Sequence, residues 1–139
     1  MVDRVKWRRD QDERIRDTRR SVYVEFLGAL HRARESHWRL AGGTVPDGRS
    51  REAAAREVLH ESQVWHAGER LLISAPQSVV DAVDRVVERL RSVRDVVAAG
   101  ASSNSAEFEE AEKAYAMALV TLRATMREDL GVEPIAMTT

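Results

Sequence analysis

The chain has 139 residues, 32% of them charged, with a formal net charge of −1 and no cysteine. This length suffices for one domain with its own apolar core, and the missing cysteine excludes disulfides and thiolate metal sites. No stretch approaches the roughly 18 apolar residues of a membrane span, and the opening MVDRVKWRRDQDER is too densely charged for a secretory leader. A soluble, cytoplasmic protein is expected.

The charge is polarised along the chain. Residues 1–40 hold 11 Lys+Arg against 7 Asp+Glu, whereas residues 101–139 hold 3 against 7. Helical periodicity prevails throughout, and no segment alternates apolar and polar residues for long enough to form a strand. Ile15, Val22, Phe26, Ala29, Ala33, His37 and Leu40 recur at spacings of three, four or seven, predicting a first helix over about 3–41. Gly42 and Gly43 stop it, and Thr44, Val45, Pro46, Asp47 and Gly48 supply loop chemistry.

Ser50 stands where an N-cap is needed for a second helix through Ala53, Ala54, Val58, Val64, Trp65, Leu71 and Leu72, ending near Ile73. In SAPQSVV, Ser74 and Gln77 have capping-box spacing and Pro76 suits a first turn. The third helix carries a seam of Val79, Val83, Val86, Leu90, Val93 and Val97, widened by Val80 and Val87 and closed by Gly100. Asn104 with Glu107 offers a further capping box for a fourth helix presenting Phe108, Ala111, Tyr115, Ala118, Leu119, Leu122, Met126 and Leu130, ended by Gly131 and Pro134.

Short connections favour antiparallel neighbours, so the expected fold is all-α, an antiparallel four-helix bundle in a single domain over 1–139. The first helix, about 58 Å long at about 1.5 Å per residue, overhangs the others. The expectation is a protruding basic helical arm over 1–20, a body over 21–131 and a tail over 132–139.

Candidate chemistry concentrates in REVLHESQVWHAGERLL, residues 56–72. Glu57 and His60 form a Glu-x-x-His pair, the spacing that di-metal bundles use twice, and His31 with Glu35 forms a His-x-x-x-Glu pair. Neither pair has its repeat, so no metal and no other cofactor is expected. With 50–73 taken as one helix, its apolar centre is set by Ala54, Val64, Gly68, Leu71 and Leu72. Glu57 and Glu61 fall inside that arc, His60 lies at its border and His66 points away. His37 lies on the inward stripe of the first helix, so a buried polar pocket of His37, Glu57, His60 and Glu61 with an arginine is expected. It reads as a structural polar layer or a partly exposed seam, with a ligand pocket or a misread helix register as the alternatives.

Two further readings exclude chemistry. Gly43, Gly48, Arg49 and Ser50 match phosphate-binding-loop spacing except for arginine in place of lysine, but a helix precedes them where such a loop needs a strand, so no nucleotide is expected. There is no cysteine, no Gly-x-Ser-x-Gly elbow and no serine paired with a histidine, so the chain is not expected to be an enzyme.

The strongest lead is RVKWRRDQDERIRDTRR. Trp7 and Ile15 are its apolar anchors, with Arg8, Arg9, Arg16, Arg19 and Arg20 supplying charge. Interleaved acids such as Asp10 with Arg14 and Asp12 with Arg16 give it a mixed face, which favours a protein-interaction arm over a uniformly basic nucleic-acid helix. The expected function is a non-catalytic interaction or scaffold protein that self-associates through this arm, with Glu107, Glu109, Glu110 and Glu112 of a second copy as its receiver. Nucleic-acid binding through the arginines is the alternative, a metal- or ligand-binding bundle ranks below it, and the remaining reading of the arm is a solvated extension with no partner.

The Arg-rich start with Trp7, then YVEFLGAL, LLISAPQSVVDAV and FEEAEKAYAMALVTLRATMREDLGV, resembles small uncharacterised helical-bundle or coiled-coil proteins of actinobacteria. The resemblance implies a helical bundle or coiled coil, with a membrane helix preceding it in some relatives that this sequence lacks. It implies no catalytic residues.

Overall fold

The computed structural model describes residues 2–46 and 48–132 and is all-helical. Its elements are α1 (Val2–Ala41), α2 (Arg51–Glu61), α3 (Val64–Ser74), α4 (Gln77–Ala98) and α5 (Ala106–Asp129). Asp47, and the predicted tail beyond Val132, lie outside the described residues.

The 40 residues of α1 form one uninterrupted helix, about 60 Å long. Its buried positions Val22, Phe26, Ala29, Ala33, His37 and Leu40 are spaced 4, 3, 4, 4 and 3. That is an 11-residue rhythm of about 3.67 residues per turn, so the buried stripe follows one side of a nearly straight rod. Against it, α3 and α5 run antiparallel. Arg19, Phe26 and Arg32 of α1 meet Ser74, Gly68 and Ser62 on the α3 side. Tyr23 and Trp38 meet Asp129 and Phe108 of α5. The most extensive helix pair is α4 with α5, while α2 lies on α4. Phe26, Leu30, Leu59, Leu71, Leu90, Phe108, Tyr115 and Leu122 fill the centre, each fully enclosed. Val79, Val83, Val86, Val87, Leu90, Val93 and Val97 of the predicted seam on α4 are buried, and Val80 at its side is half-buried.

Glycines end the helices where their conformation is required. Gly43 (φ 95°) follows α1 and Gly100 (φ 102°) follows α4, both in the left-handed region that a Cβ disfavours. Ser50 caps α2 as predicted, its side chain accepting from the Ala53 amide at 3.1 Å.

Three local expectations are corrected. The predicted second helix is two helices, because Gln63 adopts a left-handed conformation (φ 69°). Ser62 caps the first of them and bonds back to the Val58 carbonyl at 2.6 Å. Ser74 does not cap α4. It is the last residue of α3, Pro76 occupies the cap position, and the Gln77 side chain donates to Asp81 instead. At α5 the cap is Ser105, which accepts from the Phe108 amide at 3.2 Å, while Asn104 accepts from Ser102.

The break at Gln63 redirects the chain. Before it α2 packs on α4, and after it α3 packs mainly on α1 and only lightly on α4. A gap consequently opens between α3 and α4.

Candidate interaction surface

The start of α1 has no helix packed on it. Among residues 3–18 every side chain is exposed except the half-buried Gln11. Trp7 is 63% exposed and Ile15 48%, although both are large and apolar. These two with Gln11 and Thr18 continue the spacing of the buried stripe backwards, at intervals of 4, 4, 3 and 4 into Val22. The seam that the body buries from Val22 onward therefore extends along the arm with nothing over it. Around the helix, Arg4 falls on this stripe, Arg8 and Arg19 border one edge of it, and Arg14 and Asp3 border the other, with Asp10 and Asp17 beyond.

Arg8, Arg9, Arg16 and Arg20 are exposed as expected, and Arg20 pairs with Asp17 at 3.5 Å. The anticipated Asp10–Arg14 and Asp12–Arg16 pairs are not formed among the described residues. Arg19 departs from its predicted role. Its Nε donates to the Ser74 carbonyl at 2.7 Å and its guanidinium pairs with Asp129 at 3.1 Å, so it belongs to the body. Tyr23 completes this junction, donating from its hydroxyl to Asp129 at 2.6 Å. Burial and the adjacent carboxylate push the Tyr23 hydroxyl well above the usual phenol range. From Arg19 to Trp7 is twelve residues, so Trp7 stands about 18 Å beyond the body.

The predicted polar pocket does not assemble. His37 is fully buried, but Glu57, His60 and Glu61 are exposed. Arg49 bridges the two glutamates on the surface, 2.6 Å from each, and its hydrogen bond holds the Glu61 carboxyl below its ordinary value. Glu57 and Glu61 face outward because Val64, Leu71 and Leu72 belong to α3, whose rotation about its axis is reset at Gln63. The buried face of α2 is instead Ala54, Ala55, Val58 and Leu59. Arg49 of the phosphate-loop-like stretch is thus engaged with the Glu57 and Glu61 carboxylates. His31 and Glu35 pair with each other at 3.1 Å in an exposed position. Among the described residues no three histidine or carboxylate side chains gather as metal ligands.

The buried polar layer is built from other residues. Glu112 of α5 is 7% exposed and accepts from both the Arg34 guanidinium and the Trp38 indole of α1, the latter at 3.1 Å. Trp38 in turn meets Phe108 edge to face, ring centroids 4.8 Å apart. Next to this group the Tyr115 hydroxyl is enclosed and pushed up to about 12, chiefly by burial. His37 lies in the same stretch of α1, and burial, reinforced by the Arg94 charge, lowers it to about 4. It is therefore a neutral imidazole at neutral pH. The sequence expectation groups Glu112 with the exposed acids of α5, and the structure buries it instead. Its position between Phe108 and Tyr115, one turn from each, is the sequence signal that places it inward. It is consequently not available to a second copy's arm, whereas Glu107, Glu109 and Glu110 are exposed.

No helix of the described residues is long and apolar enough to cross a membrane. Compared with family models, curated proteins and solved structures, the chain matches none.

Proposed function

We propose that the protein is a non-catalytic interaction or scaffold protein that self-associates through the first part of α1. The observation that carries this reading is the uncovered continuation of the core stripe, Trp7 and Ile15, on a helix that runs about 18 Å clear of the body. An isolated helix of this length, with two large apolar residues on its stripe, gains little from its own burial in water. A partner that covers the stripe supplies that burial and leaves the flanking arginines at the rim, where charge governs orientation and association rate.

Light scattering on the intact protein, against a variant carrying both Trp7→Ala and Ile15→Ala, tests the reading. The expected result is a dimer or larger assembly for the first and a monomer for the second, with equal helical content by circular dichroism. Equal monomer masses for both would remove the proposal.

A further inference from the structure

The break at Gln63 leaves a groove of about 390 Å³ between α3 and α4. Its floor is apolar. Phe26, Val64, Val83 and Val87 line it, and Phe26 is reached across Gly68, where an added Cβ would stand 3.5 Å from the ring. Trp65 and Leu72, 41% and 51% exposed, form the α3 wall. Three carboxylates, Glu69, Asp84 and Glu88, stand along the rim, against the single cation Arg91, whose guanidinium already lies 4.8 Å from the Trp65 ring centroid. A large indole and an apolar floor exposed together inside an acidic rim form a surface that attracts an apolar, cationic partner.

We propose that this groove receives the arm of a second copy of the chain, with Trp7 and Ile15 entering it and the arginines of that arm meeting the acidic rim. The inference rests on the reading of the arm as a self-association element and names its receiver. Three observations select this occupant. The arm brings two large apolar anchors with Arg4, Arg8 and Arg14 on or beside their stripe, complementary to the apolar floor and the three carboxylates. The lengths agree, since Trp7 to Ile15 and Val83 to Arg91 are each eight residues of helix, about 12 Å. The chain's own arm cannot fill the groove, because α1 is continuous and carries it away from the body.

The direction follows from the fold. Ile15 lies nearest its own body, and Leu72 lies near the end of the bundle from which the arm departs. Two copies facing each other at that end therefore place Ile15 of each against Leu72 and Val83 of the other, with Trp7 reaching on toward Val87 and Glu88. The exchange is reciprocal and uses the same two patches on both copies, so it closes as a two-fold dimer. The exposed acids of α5 are a weaker receiver. The large exposed apolar residues of that helix, Met117 and Val120, lie two turns or more beyond Glu110.

Sedimentation equilibrium on the full chain tests the assignment, using Trp7→Ala, Gly68→Leu, Arg8→Glu, Glu88→Arg and the double variant Arg8→Glu/Glu88→Arg. The Cβ that Gly68→Leu adds stands in ordinary contact with the Phe26 ring and its isobutyl group occupies the open groove, and Arg8 and Glu88 are both exposed, so helical content should not change. The expected result is a wild-type dimer whose dissociation constant rises roughly 30-fold with Trp7→Ala or Gly68→Leu, as for loss of a central anchor. Each charge reversal should weaken it several-fold, and the double variant should recover most of that loss. A dimer loosened by Trp7→Ala but indifferent to Gly68→Leu and Glu88→Arg overturns the groove while keeping arm-mediated association. A monomer at every concentration, or a dimer indifferent to Trp7→Ala, overturns both.

Discussion

Arg19 and Asp129, 110 positions apart in the chain, meet at 3.1 Å where the arm leaves the body. The Asp129 side chain is 11% exposed and also accepts from the Tyr23 hydroxyl, so one carboxylate holds two α1 side chains to the end of α5. Replacing Asp129 by alanine strands a mostly buried hydroxyl and a guanidinium. The expected cost is about 2 kcal/mol in urea unfolding, within the range for leaving buried polar partners unsatisfied. Arm helicity from residue 3 to residue 18 should be unaffected, since none of it touches Asp129.

His37 makes stability depend on pH in a defined window. Its folded value is about 4 against 6.5 for an unperturbed imidazole, so the unfolded chain binds more protons between those values. Stability is full above about 6.5 and falls as the pH drops toward about 4, by about 3 kcal/mol in all. Denaturant midpoints at several pH values measure this. His37→Leu should flatten the slope across the window and raise stability at neutral pH by about 1 kcal/mol. Both ring nitrogens of His37 are buried with no hydrogen-bond partner among the described residues.

Glu112 is the centre of the α1–α5 polar layer. Glu112→Gln keeps an acceptor for the Trp38 indole but loses the ion pair with Arg34, at an expected cost of about 1 kcal/mol. Glu112→Ala loses both, at about 3 kcal/mol, the low end for breaking a buried pair because Arg34 retains partial access to water. Thermal melts of the two variants, read by helicity, should rank in that order. A Glu112→Ala variant as stable as wild type would show the layer to be unimportant for folding.

Gln63 sits in a left-handed conformation that side chains other than glycine and asparagine seldom adopt. Gln63→Gly should raise stability by up to about 1 kcal/mol, while Gln63→Val should lower it by a similar amount or more. If neither substitution moves the unfolding midpoint, the break between α2 and α3 carries no strain.

The helices were legible in the sequence wherever periodicity and punctuation agree. The valine seam of α4, the stripe of α1 from Val22 onward and the glycine stops are local properties, set by a 3.6-residue turn and by the conformations a Cβ forbids. The break at Gln63 was not legible, because Ser-Gln carries neither glycine nor proline and its left-handed residue is stabilised by what α2 and α3 separately pack against. One missed break misdirected the polar pocket. It rotated Glu57 and Glu61 inward on paper, while the actual layer formed from Arg34, Trp38 and Glu112, residues 74 and 78 positions apart.

The exposure of Trp7 and Ile15 separates the two kinds of information most clearly. Chain pattern alone sufficed to mark both as apolar residues on one side of a helix, because side-chain direction repeats with the helical turn. Whether that side was covered depended on where α3 and α5 end against α1, at Ser74 and Asp129, and on the gap that the redirected α3 leaves beside α4. Those are contacts between segments distant in sequence, set by mutual packing rather than by any one segment's composition, and only the assembled fold decides them.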